Sequence, residues 1–279
     1  MKLILSEEQQ FLKDTAKSFA RDKTPTTHFR KLRDDENTKC WDDSIWQEMV
    51  QLGWSGILVP EEFGGSDFGI AGISVIMQEL GKTLTPSPIL ATSVLGVSAI
   101  NLLGSQEQKE KYLPKIVSGD VTTALAIDEG NHHSPLDIEA TAILKGDKWS
   151  LNGQKVFIID GASADYILIV ARTSGKKGES NGLSVFVSEK NSEGLEISKI
   201  STADCRNYSN LKMNNLVLEG NALLGEVDTA GEIIEKVLDL GRIAMASEML
   251  GNTEEAFEIT VNYLKERKQF GVLIGSFQA

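Results

Sequence analysis

The hydrophobic period of this chain changes twice, and those two changes limit the folds open to it more than any other feature. Up to about residue 120, apolar residues recur at spacings of three and four. After "SGD" at Ser118–Asp120 the spacing falls towards two, and near Thr229 it returns to three and four. Helical, then β, then helical is the order of an α+β multidomain protein, with each domain burying its own apolar faces. A length of 279 residues exceeds the roughly 100 to 200 of a usual single domain, and 41% hydrophobic content spread along the chain supports sizeable cores. The expected divisions are a helical domain at 1–120, an antiparallel β middle domain at 121–225 and a helical C-terminal domain at 226–279.

Capping chemistry marks the helical boundaries. Ser6 with Gln9 fits a capping box, and Phe11, Leu12, Ala16, Phe19 and Ala20 form one apolar face, predicting a helix to about Lys23. A helix from Asp43 to Leu52 turns Ile45, Trp46, Met49 and Val50 inward and stops at Gly53. The glycine-dense loop "VPEEFGGSDFG", Val59 to Gly69, opens into a helix carrying Ile73, Ile76, Met77 and Leu80. Ser87 and Pro88 predict an N-cap and first-turn proline for a helix ending near Gly104, and Ser105 with Gln108 repeats the capping-box pattern. Then "TTALAID", "IEATAIL", "KWSLNGQKVFII", "DYILIVART", "GLSVFVSE" and "NLKMNNLVL" read as strands separated by polar turns. Thr229 with Glu232 offers another capping box for a last helix through Leu238, Met249, Thr253, Phe257, Val261 and Leu264.

Composition removes several function classes. Forty acidic residues against 28 basic give a net charge of −12, which argues against general nucleic-acid binding. The start, "MKLILSEEQQ", has too short an apolar run for a secretory signal, and no stretch approaches the roughly 18 apolar residues of a membrane span, so a cytoplasmic protein is expected. Cys40 and Cys205 are isolated, which suits ordinary reduced thiols. The adjacent His132 and His133 diverge and lack companion ligands, so no metal site is expected. Glycine-rich dinucleotide fingers, a phosphate-loop lysine and a serine nucleophile elbow are all missing.

The last helix finishes on "ERKQF", Glu266 to Phe270, inside "YLKERKQFGVLIGSFQ". Together with "GILVPEEFGG", "GSQEQKEKYLPKIVSGD", "LNGQKVFIIDGASADYILIVART" and "LDLGRIAMASEMLG" in this order, that ending resembles the acyl-CoA dehydrogenase family. The resemblance covers essentially the whole chain. It implies flavoenzyme architecture: a helical N-terminal domain, a β middle domain and the start of a C-terminal four-helix bundle. It also implies that a chain ending at Ala279 carries only part of that bundle, a two-helix remnant with an apolar face uncovered.

By the same resemblance, Arg267, Gln269 and Phe270 reach across a subunit interface to the FAD of a neighbouring chain, the guanidinium meeting its diphosphate. A planar, permanently charged fork of donors suits that contact. The family reaction takes a proton from the α carbon of an acyl-CoA thioester while hydride leaves the β carbon for the flavin, giving the trans-2-enoyl thioester. An electron-transfer flavoprotein or similar acceptor reoxidises the cofactor. Asp239 and Arg242 match the pair near the acyl-CoA channel, and Leu238, Met245 and the "GGSDFG" loop are candidates for its lining. Most members carry the catalytic Glu beyond the position of residue 279; a second known location is Gly241 here, so the covered sequence offers no base.

The middle domain departs from the family pattern. Counting back from "NGQK" puts Ile127 at the flavin-contacting Thr, with Asp128 and Glu129 following it, and His133 at the Ser, with Ser134 one residue away. In the later strand Phe157 stands for Trp, Ile159 for Thr and Asp160 for Asn. Each lost hydroxyl bond removes about 0.5 to 1.5 kcal/mol, and a buried flavin atom left without a partner costs a further 1 to 3 or so. Phe157 keeps its ring contact. Two expectations follow: a catalytic acyl-CoA dehydrogenase with an altered flavin pocket, or a non-catalytic subunit of a hetero-oligomer that completes a partner's FAD site. A homotetramer or a dimer of heterodimers is implied in either case.

Overall fold

The computed structural model describes residues 4–35, 39–204 and 206–277. Cys205 and the chain end at 278–279 lie outside the described residues, and Cys40 is buried. The N-terminal part consists of α1 (Glu7–Lys23), α2 (Thr26–Asp34), α3 (Asp43–Gln51), α4 (Ile70–Lys82), α5 (Val97–Leu103) and α6 (Gln106–Val117). Both N-terminal boxes close as the sequence predicts. Gln9 N donates to Ser6 Oγ at 3.2 Å and Ser6 N to Gln9 Oε1 at 3.0 Å, and Ser105 and Gln108 repeat the exchange at 3.3 and 3.0 Å. Helix α2 was not legible from periodicity because it buries only Leu32.

Ahead of α5 the backbone is π-helical over Ile89–Gly96, and every residue of that segment is buried. Ser87 is not its cap; Pro88 occupies that position without a side-chain bond. The wide helix is pinned from the side. Thr92 Oγ1 accepts from Thr123 N at 3.0 Å and is bonded to Thr123 O at 3.2 Å, which joins the helical part to the first strand.

Strands β1 (Thr123–Ala126), β2 (Thr141–Lys145), β3 (Lys148–Ile159), β4 (Tyr166–Arg172), β5 (Leu183–Glu189), β6 (Leu195–Ile200), β7 (Tyr208–Glu219) and β8 (Leu223–Leu224) form one sheet in the order β6-β7-β3-β2-β4-β5-β8. The sheet is mostly antiparallel, as expected, with parallel pairing at two places. β1 lies beside β4 in parallel, Thr123 against Tyr166, and Thr141 pairs in parallel with Arg172. A parallel neighbour needs a long connection, and the β2–β3 hairpin supplies it between β1 and β4. Strand β3 slips register against β7 between Lys155 and Ile158, and this bulge turns Phe157 out at φ 52°.

The C-terminal part is a single helix, α7 (Ala230–Glu266), not a two-helix piece, followed by a short hairpin of β9 (Lys268–Gln269) and β10 (Val272–Leu273). Its predicted capping box does not form: Thr229 Oγ1 donates to the Glu226 carbonyl at 3.0 Å instead. The apolar stripe of α7 is buried at Ile234 and Val237, but Met249, Phe257 and Leu264 are exposed. No helix among the described residues is long and apolar enough to cross a membrane.

Helix α7 crosses α4 at backbone contact. A Cβ on Gly251 would meet the carbonyl of Gln78, and one on Gly81 the carbonyl of Glu248. Neither obstacle is a side chain that can swing aside, so the helices must part. Gly251→Ala is expected to lower unfolding stability by about 1 to 3 kcal/mol, read as a lower denaturant midpoint at an unchanged slope.

Candidate functional site

The loop from Ile127 to Ala140 is held against β3 by a buried cation. Lys155 is fully buried and donates Nζ to the Ile127 carbonyl at 2.9 Å and to Glu129 Oε1 at 2.7 Å. Glu129 accepts in addition the backbone N–H groups of Glu139 at 2.7 Å and Ala140 at 3.0 Å. Burial pushes the Lys155 ammonium from 10.5 down to about 8, with Glu129 working the other way.

Asp128 shapes the same loop. Its Oδ2 lies 2.8 Å from His133 Nδ1, its Oδ1 accepts from Ser134 N at 3.0 Å, and its carbonyl accepts from Val156 N at 2.7 Å. Nδ1–H donation to that carboxylate orients the ring and leaves its Nε2 end away from Asp128. His133 lines an apolar cleft of about 380 Å³. Its neighbour His132 lines a separate polar groove of about 770 Å³ together with Ser134, Lys177 and Lys212. Of the two residues that competed for one role in the sequence, His133 faces the cleft and Ser134 does not.

Four parts of the chain wall that cleft. Leu90 and Leu95 come from the π-helical segment, His133 from the loop, Ile159 from the end of β3, and Leu238, Gly241, Arg242 and Met245 from α7. Gly241 is buried, and a Cβ there would press on Leu95 Cδ2 at 2.7 Å. Arg242 is half-exposed and fixed by Asp239 Oδ1 at 2.6 Å and Glu235 Oε1 at 2.8 Å, while Asp239 itself faces outward. The sequence therefore identified residues from both walls, and the fold brings them together. The "GGSDFG" loop is the exception: it folds back on the helical part, Asp67 N donating to Val59 O at 3.0 Å and Phe68 N to Ile57 O at 2.9 Å.

The remaining candidates lie elsewhere. Ile127 is buried and contributes only its backbone oxygen to Lys155. Phe157 is 55% exposed beside the cleft strand, its ring edge-on to Tyr208 at 6.2 Å. Arg267 closes α7, its N–H donating to Tyr263 O at 2.9 Å; Gln269 pairs with Val272; and Phe270, at φ 53°, is 94% exposed. None of these three residues lines the cleft. The Asp128–His133 and Glu129–Lys155 pairs were missed from sequence, since neither spacing is distinctive without the fold. Immediately after Ile159, Asp160 is buried at φ 58°; burial pushes its carboxyl from 3.8 up to about 7, with Arg206 working against it.

Comparison with known proteins finds three successive domain models of one family on this chain. They are the acyl-CoA dehydrogenase N-terminal domain over residues 6–120, the middle domain over 124–219 and the C-terminal domain over 231–279. The short-chain-specific acyl-CoA dehydrogenase of Clostridium acetobutylicum is 30% identical over 280 residues, spanning 98% of this chain and 73% of that protein. The caffeyl-CoA reductase-Etf complex subunit CarC of Acetobacterium woodii is 31% identical over 284 residues, 99% of this chain and 74% of its own length. The structure of butyryl-CoA dehydrogenase from Megasphaera elsdenii matches with a TM-score of 0.88 at 27% identity, covering 100% of this chain and 74% of that one.

Two measurements check the local electrostatics. Glu129→Ala leaves the Lys155 ammonium buried without its counter-ion and is expected to destabilise the fold by about 3 to 5 kcal/mol in denaturant titrations at neutral pH. Asp160 holds its proton more tightly folded than unfolded, so its contribution is complete below pH 3.8 and is lost as pH rises to about 7. Relative to Asp160→Asn, the wild-type chain should therefore lose stability by about 1.4 kcal/mol per pH unit within that window.

Proposed function

This chain belongs to the acyl-CoA dehydrogenase family, and on that premise we propose that it is an FAD-dependent oxidoreductase that converts an acyl-CoA thioester to its trans-2-enoyl-CoA. One observation carries the reading: His133 and Ile159 of the β part face Leu238, Gly241 and Arg242 of α7 across a single apolar cleft. An apolar slot with an imidazole and a guanidinium at its edge suits a flat ring and an acyl chain whose polar parts remain at the rim.

The residues present fit a flavin by packing more than by hydroxyl bonds. Phe157 offers an exposed aromatic face, Ile159 an aliphatic wall and His133 an imidazole held by Asp128, while Ile127 provides no polar side chain. FAD supplies the hydride acceptor when bound. Arg242, held by Asp239 and Glu235, supports the mouth where the pantetheine enters, and Asp239 meets it from outside. Among the described residues lining the cleft there is no carboxylate. Arg267, Gln269 and Phe270 serve an FAD bound by a neighbouring subunit, the guanidinium at its diphosphate. Their place at the exposed end of α7, away from the cleft of their own chain, supports that role, with a homo- or hetero-oligomer as the working form.

An electron-transfer flavoprotein or similar acceptor takes the electrons, as the name of the Acetobacterium woodii relative suggests. A cytoplasmic setting belongs to the same reading. The two isoleucines in place of hydroxyl residues favour a second reading, in which this chain binds no FAD of its own and completes a partner's site. The visible spectrum of the purified chain decides between them. Flavin absorbance that bleaches anaerobically on adding acyl-CoA is expected; absorbance gained only on mixing with a second family-member chain selects the other reading. In whichever assembly holds flavin, Arg267→Ala is expected to weaken FAD retention at least about tenfold, the loss of a charge-assisted phosphate contact. Undiminished retention at equal thermal stability sinks the cross-subunit role.

A further inference from the structure

Every buried residue of α7 lies between Ala230 and Gly251, and from Asn252 to Glu266 the helix buries none. An apolar stripe runs from the inner half into this outer one. Ile243, Leu250, Phe257 and Leu264 stand seven residues apart and are all exposed, Phe257 at 69%. Three residues after each of the first three comes a small one, Ala246, Thr253 and Thr260, also exposed. Thr253 Oγ1 donates to the Met249 carbonyl at 2.8 Å and Thr260 Oγ1 to the Ala256 carbonyl at 2.7 Å, so both hydroxyls are satisfied within the helix.

A strict seven-residue period is the signature of a seam against a second helix, because it keeps the large residues in line along about 32 Å of a gently supercoiled rod. The alternation of size chooses the direction of that second helix. In a parallel pair of α7 helices Phe257 meets Phe257 and Thr253 meets Thr253, which crowds one level and leaves a gap at the next. In an antiparallel pair centred on Glu255, each large residue faces a small one. Leu250 then faces Thr260, Phe257 faces Thr253 and Leu264 faces Ala246 of the other copy. Charge agrees with this direction. The basic end, Lys265, Arg267 and Lys268, comes beside Glu235 and Asp239 of the other copy, whereas a parallel pair sets two basic ends together.

We propose that the stripe is a homodimer seam, on which two copies of this chain pair antiparallel through α7. The consequence for the site rests on the acyl-CoA reading above. With Glu255 at the two-fold axis, Arg267 falls level with Ile243 of the other copy and Gln269 with Gly241, about 18 to 21 Å from the axis. Gly241 and Arg242 wall the cleft. The seam that covers the stripe therefore carries the hairpin of one copy to the cleft of the other. Each outer half also lies on the half of its neighbour that is anchored to α4.

Sedimentation velocity of the whole chain at tens of micromolar tests this, and a dimer is expected. Leu250→Glu and Phe257→Glu change exposed side chains, and each is expected to raise the dimer dissociation constant at least about tenfold with the circular dichroism spectrum unchanged. Adding Thr260→Lys to Leu250→Glu sets opposite charges face to face in the antiparallel register alone, and should recover most of the lost affinity. A monomeric wild-type chain overturns the proposal, as does a dimer that both single variants leave equally tight, or a paired variant no tighter than Leu250→Glu. A monomer that assembles only with a second family-member chain gives the stripe to that chain and overturns self-pairing. None of these outcomes touches the spectral test of the acyl-CoA reading, and failure of that test leaves the dimer standing.

Discussion

The buried ammonium of Lys155 is the contact on which the site depends. It is taken out of water inside the sheet and is tolerable there only because a carbonyl and a carboxylate of the preceding loop come to meet it. Bringing them in fixes the path of the loop, and the path of the loop determines that Asp128 meets His133 and that His133 turns to α7. One cation in the core thus sets the position of an imidazole at the surface of a cleft.

The opposite wall is positioned by different physics. Helix α7 lies on α4 with glycine at the crossing from each side, so backbone meets backbone and the separation leaves little room to vary. The Arg206–Glu248 pair and the Gln78–Glu254 bond, at 2.8 Å, join α7 to the β part and to α4 respectively. A cleft between two rigidly spaced walls can be lined with apolar side chains and still keep its shape, which loop-built sites do less well.

Much of this was written in local sequence. Capping boxes at Ser6 and Ser105 place two helices to the residue because the side chains involved are only three positions apart. The strands read from alternation, and the motif order led to Ile159, His133, Leu238 and Arg242, all of which reach the cleft. What did not read are the features decided by distant partners. The π-helical turn depends on Thr123, the parallel placement of β1 on the hairpin that intervenes, and the burial of Asp160 on a bulge that no pattern announces. The failed box at Thr229 has the same origin: Thr229 forms a bridge with Leu183, and its hydroxyl turns back to Glu226.

Helix α7 carries the cleft residues Leu238 to Met249 in and just past its first half and the Arg267 guanidinium at its end, about 35 Å away on one continuous rod. A rod transmits rotation. A small twist imposed at Leu238 and Met245 displaces the hairpin at the tip in the same movement, so the cleft and the projecting end of the helix share one mechanical coordinate.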